Sequence, residues 1–184
     1  MKPVERGEII DYATYEERRD ALRAQVMAAK ALRRVHIGEY LTLLFENHLT
    51  MRYQIQEMVR AERMVKEADI QHEIDTYNEL PGGEGELGCT LLIEIEDPAV
   101  RNVKLKDWWN LPEKIYLLLE DGTRVSATFD ERQRGDDRVS SVQYLKFDTK
   151  GQVPIAAGVN MPELQAEARL ADDQRQALSE DLSS

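Results

Sequence analysis

Apolar residues recur at helical spacing from Tyr15 to Arg34, a stretch without glycine or proline. Leu22, Val26, Ala29 and Leu32 or Arg33 form one stripe, while Glu16, Glu17, Arg18, Arg19, Asp20, Arg23 and Lys30 occupy the other face, so the spacing predicts an amphipathic helix. Thr14 is its expected cap, with Glu17 three residues on completing a capping box. Arg33 and Arg34 fall in the last turn, where cations complement the helix dipole. From Val35 the period changes to two. Leu41, Leu43 and Phe45 alternate with Thr42, Leu44 and Glu46, which reads as a strand ending at Glu46-Asn47. Helical patterns follow over about 48–66 and 69–80, and Pro81-Gly82-Gly83 stops the second. The clearest strand comes next, with Leu87, Cys89, Leu91, Ile93 and Ile95 alternating with Glu86, Gly88, Thr90, Leu92, Glu94 and Glu96.

Asp97-Pro98 ends that strand, and residues 100–109 read as a short helix or helical turn. Ile115 to Leu119 and Val125 to Phe129, joined through Glu120-Asp121-Gly122-Thr123, have the pattern of a hairpin. A further strand spans Val139 to Phe147, a short one lies near Val159 to Met161, and an acidic helix covers about 172–182. The helical segments concentrate early and the antiparallel-looking strands late. The expected class is therefore α+β, a mainly antiparallel sheet with the helices of the N-terminal half packed on one face. At 184 residues the chain is long enough for one domain, expected over 1–170, with 171–184 as a peripheral acidic helix or tail.

Composition limits the function. With 42% hydrophobic and 32% charged residues the chain is of globular type, and its formal net charge of −11 argues against a general nucleic-acid or anionic-membrane surface. Cys89 has no second cysteine to pair with, which points to a reducing compartment. Met1 to Asp11 lacks the apolar run of a secretory signal, and no stretch approaches the roughly 18 apolar residues of a membrane span. A soluble, cytoplasmic protein is expected.

The chemistry candidates lie where polar groups meet apolar stripes. At 100° per residue, Met51, Ile55, Met58, Val59 and Val65 share one face of the second helix, and Glu62 falls among them. An inward carboxylate needs a partner or a proton. An Arg–Glu pair closing the helix against the sheet is the commoner arrangement, with Arg52 and Arg63 on the flank. Glu73 and Asn78 edge the Ile70, Ile74 and Tyr77 stripe of the next helix, so Glu62 and Glu73 can approach each other, joined by Glu46, Glu86 or Glu94 from strands. His36 and His48 read as loop or cap residues and His72 as a solvated one. The chain has no Glu-x-x-His or His-Glu-x-x-His spacing. Pro81 to Glu86 follows a helix and precedes a strand, the reverse of a phosphate cradle. Cys89 lies on the apolar side of its strand, where a thiol is inert. Trp108-Trp109 is either a partner-binding anchor or a lid over the sheet.

Leu41-Thr-Leu-Leu-Phe-Glu-Asn47, Gln54-Ile-Gln-Glu-Met-Val-Arg-Ala-Glu-Arg63, Glu73-Ile-Asp-Thr-Tyr-Asn78, Thr90-Leu-Leu-Ile-Glu-Ile-Glu-Asp97 and Ser141-Val-Gln-Tyr-Leu-Lys-Phe147 together resemble the bacterial domain-of-unknown-function family numbered 3501. The similarity runs over nearly the whole chain and brings no assigned activity. It implies a setting: such proteins are often encoded beside rubrerythrin-like and iron–sulfur oxidoreductase proteins.

Two functions follow as expectations. The first is a non-catalytic accessory protein that binds an iron–sulfur or rubrerythrin-like partner of a redox or oxidative-stress module. The second is a carboxylate-rich site centred on Glu62 that binds a metal or small molecule, or acts as an enzyme with its carboxylates as acid/base groups. Its candidate cluster is Glu46, Asn47, Gln54, Glu57, Arg60, Glu62, Arg63, Glu73, Tyr77, Asn78 and Glu94, with Glu57 pointing away from the stripe. Glu62 and Glu73 are the metal candidates, and their hard oxygens suit iron or manganese.

Overall fold

In the computed structural model, which describes residues 1–184, the period-two segments pair into two four-stranded antiparallel sheets. The first has the order β1 (Arg34–Ile37), β2 (Leu41–Phe45), β3 (Glu86–Ile93), β6 (Val142–Asp148). The second has the order β5 (Arg124–Ser126), β4 (Ile115–Leu118), β7 (Ala156–Val159), β8 (Ala166–Arg169). Thr128 and Lys146 exchange backbone hydrogen bonds of 2.8 Å and join the chain beyond β5 to β6. On the other side β1 lies against β8. The two sheets therefore face each other around one apolar interior that includes Phe45, Leu91, Leu117, Phe147 and Trp108. Burying each such side chain contributes about 1.5–3 kcal/mol.

Register separates two faces of the first sheet. Phe45, Cys89 and Leu145 share one row, as do Leu43, Leu91 and Gln143, and these point into the main core. Leu44, Thr90 and Tyr144 form a row on the outer face, and Thr42, Leu92 and Val142 form the next. The outer face is the polar one, and the helical unit adjoins it where β2 runs through Glu46 into the next helix.

The five helices are α1 (Tyr12–Ala31), α2 (His48–Ala61), α3 (Glu67–Asn78), α4 (Pro98–Asp107) and α5 (Asp172–Leu182). The α+β class is as the sequence predicts, but helices are not confined to the N-terminal half. Leu105 of α4 and Leu178 of α5 are buried in the main core, so both helices are needed to complete it. Arg33, at the end of α1, donates two hydrogen bonds of 2.7 and 2.9 Å to Asp181, fixing the far end of α5 as well. Met51, Ile55 and Val59 of α2, Ile70 and Ile74 of α3, and Val4 and Ile9 form a second, smaller core.

Two helix boundaries differ from expectation. Asp11, rather than Thr14, caps α1: its carboxylate accepts from the Ala13 and Thr14 amides. The second helix stops at Ala61 instead of about 66. Arg63 takes a left-handed φ of 49°, the Met64 N–H donates to the Val59 carbonyl and the Arg63 N–H to the Arg60 carbonyl. That is a Schellman stop with arginine where glycine is usual. Met64 then packs on the small core.

Candidate functional site

Glu46 is the first residue after β2 and continues the outer-face phase of Thr42 and Leu44. Its carboxylate accepts hydrogen bonds from the Thr50 hydroxyl at 2.6 Å and the Thr90 hydroxyl at 2.7 Å. Both threonines are buried, so these bonds are shielded from water. Thr50 is held by the Asn47 cap of α2, which accepts from the Thr50 amide while the Thr50 hydroxyl accepts from the Asn47 N–H. One short sequence thus starts the helix and orients the carboxylate.

Tyr77 of α3 and Tyr144 of β6 complete the cluster. Burial pushes both phenols up, and the Glu46 carboxylate adds to the effect in each case. Glu73 raises Tyr77 further and Gln54 acts the other way. Glu73 itself is raised, first by burial and then by the charge of Glu62. The site therefore holds a bonded carboxylate beside two phenols that keep their protons. It can donate and accept hydrogen bonds.

Beside this cluster lies an open groove of about 960 Å³ between the end of α3, the Pro81-Gly82-Gly83 loop and the β6 edge. Tyr144, Phe129 and Leu80 supply its apolar surface, and Glu79, Glu86, Asp130 and Lys146 its charges. Glycine makes the wall possible. A Cβ on Gly88 would lie 2.6 Å from the Gly82 nitrogen and 2.7 Å from Pro81 Cα, so the loop rests directly on the backbone of β3.

Of the eleven candidate residues, Glu46, Glu62 and Glu73 lie near enough to Tyr77 for their charges to raise it, with Gln54 beside it. Asn47 caps α2 and also bonds Asp181. Asn78 bonds both backbone groups of Val4, tying the N-terminal segment to α3. Glu57 accepts from Tyr15 at 2.6 Å and from Arg19 at 2.8 and 2.9 Å, and Arg60 pairs with Glu16. Glu62 is a correction. It is exposed at the C-cap of α2, because the helix ends before the stripe reaches it, and Arg63 and Val65 are exposed with it. Glu94 lies at the far end of the outer face, where it accepts from Thr42 at 2.5 Å. No three His, Cys, Asp or Glu side chains come close enough to hold a metal ion, so Glu62 and Glu73 have no third ligand.

Thr50, Thr90 and Tyr144 are site residues that the sequence reading passed over. For the two strand residues the signal was the phase: Thr90 alternates with Cys89 and Leu91, and Tyr144 with Leu145. A second polar trio is equally new. His36 is in β1 rather than a loop, and its Nδ1 is 2.8 Å from the Thr42 hydroxyl that Glu94 accepts from. His48 opens α2 and contacts Glu8 and the Lys2 carbonyl, while His72 is exposed. Cys89 is buried, and burial first, then Glu46, raises its thiol. Trp108 lies in the core against Tyr40, whereas Trp109 is 40% exposed.

The fold and site define an α+β protein of two facing antiparallel sheets with a helical unit beside a polar outer face. The chain belongs to the family described as protein of unknown function DUF3501, whose model matches residues 3–182. The crystal structure of a novel protein of unknown function from Burkholderia pseudomallei K96243 is similar, with a TM-score of 0.90 and 31% identity. The likeness covers 98% of this chain and 100% of that one. No curated protein matches the chain.

Proposed function

We propose that this is a non-catalytic accessory protein that binds a partner of a bacterial redox or oxidative-stress module, a rubrerythrin-like or iron–sulfur protein, through the groove beside Tyr144. The observation that carries the reading is the groove itself: about 960 Å³, open, with aromatic surface and an acidic rim. Enclosed small-molecule sites are mostly apolar, whereas an open trough mixing aromatic and charged groups suits a protein segment. Asp130 is paired with Arg132, which leaves Glu79 and Glu86 against Lys146, a balance that favours a partner segment bearing Lys or Arg. The family resemblance supplies the class of partner, and the net charge of −11 agrees with an electropositive one.

The test is direct binding between this chain and purified rubrerythrin-like and iron–sulfur proteins of the same organism. A Glu79→Lys/Asp130→Lys variant reverses two rim charges at exposed or half-exposed positions. The expected result is a complex that weakens at least about tenfold in the variant and with added salt. Equal affinity in both chains places the partner elsewhere, and no complex with either protein class removes the proposal.

A further inference from the structure

We infer that a recess between α4 and the turn at 134–139 is a binding site for a small phosphate-bearing molecule. The recess, of about 540 Å³, is lined by Arg101, Arg132, Arg134 and Arg138, with Asp137 its one carboxylate. Such a concentration of arginine stands out on a chain of net charge −11. Partners decide which of these charges are free for a ligand. Arg132 pairs with Asp130, and Arg134 reaches Glu113 at 2.9 Å and Glu131 at 3.4 Å. Arg101 and Arg138 form no ion pair, although the charge of Arg101 reaches Asp97: Arg101 Nη1 donates to the Ile95 carbonyl at 2.9 Å, and Arg138 Nη1 to the Asn102 side chain at 2.8 Å. Their other N–H groups remain for a ligand. Guanidinium groups present paired donors that match the oxygens of a phosphate.

Arg134, whose charge is met by Glu113 and Glu131, anchors the turn that carries Arg138. Its side chain is only 6% exposed, stacked 4.0 Å from the Trp109 ring and 4.9 Å from the Phe129 ring. Yet its Nε–H has no hydrogen-bond partner.

The recess is also preorganised. Arg134 bridges to Val139 across the turn, and the Gly135 N–H donates to the Arg138 carbonyl at 3.1 Å. The Val139 N–H donates to the Leu105 carbonyl at 2.9 Å, and Lys106 holds Asp137 at 3.1 Å. The turn is thereby fastened along α4, and the one carboxylate is already neutralised. The recess adjoins the groove, since Gln133 lines both and Arg132 pairs with Asp130 of the rim, but the inference does not rest on the partner-binding reading.

Trp109 beside Arg134 supplies the readout. Titration of the full chain with sodium pyrophosphate, followed by tryptophan emission and by calorimetry, is expected to show saturable binding, with inorganic phosphate weaker. Arg138→Gln, at an exposed position, and Arg101→Gln/Arg138→Gln are expected to weaken it at least about tenfold, with an unchanged circular dichroism spectrum. Sodium sulfate at equal ionic strength and a phosphoserine peptide form the comparison arms. Absence of saturable binding, equal affinity for sulfate, equal affinity in the double variant, or binding of the phosphopeptide alone would each overturn the inference.

Discussion

Glu57 and Glu73 are half-buried carboxylates on adjacent helices, and the fold moves them in opposite directions. Burial alone raises Glu57, but the bonds from Arg19 and Tyr15 outweigh it and hold its carboxyl below the ordinary value of 4.5. A lowered carboxyl contributes stability above that value and loses it as pH falls through the folded pKa. The Arg19 and Glu57 side chains are only 27% and 19% exposed, so screening does not erase the pair. Glu57→Gln is expected to lose about 1–3 kcal/mol at pH 7 in urea unfolding, with the difference from the parent shrinking below about pH 4. Glu73 has the opposite sign. Burial and Glu62 raise it, so ionising it opposes folding and stability declines as pH rises from 4.5 through the raised value. Glu73→Gln is expected to be at least as stable as the parent at pH 7 and indistinguishable from it at about pH 4, measured by thermal melting.

Helix and loop termini are where the sequence was hardest to read. The α2 stripe runs on to Val65 by periodicity, which made Glu62 look inward; the true stop has Arg63, not glycine, at its left-handed position. With no glycine or proline there, the composition carried no mark of the Schellman turn, and only the Met64 anchor in the small core selects it. A left-handed non-glycine residue costs roughly 1 kcal/mol, so Arg63→Gly is expected to raise unfolding stability by up to about that much, read as a higher urea midpoint. Gly88 is the converse case. A methyl group there meets the Pro81 and Gly82 backbone, so Gly88→Ala is expected to lose about 1–3 kcal/mol and disturb the groove wall. The strands at Leu41, Glu86 and Val142 were legible because alternation was strong. Strand β8, Ala166-Glu-Ala-Arg169, was missed because small and charged residues give little hydrophobic contrast.

At the scale of the whole molecule, pairing between distant segments built what local patterns left open. Composition and periodicity gave the α+β class, but nothing local shows that β3 pairs with β6 or that the Thr128–Lys146 bridge joins the sheets. The site was legible in part for the same reason. Glu46 was among the expected residues, while Thr90, which bonds it, and Tyr144 come beside it only through the strand register. The groove beside Tyr144 is likewise a product of assembly, made where α3, the Pro81 loop and the β6 edge meet. Its role as a docking surface is the central claim. Calorimetric titration of this chain with a purified rubrerythrin-like or iron–sulfur partner is the most direct test. The account predicts a saturable complex that Glu79→Lys/Asp130→Lys weakens at least about tenfold; an unchanged affinity in that variant, or no complex with either partner class, would contradict it.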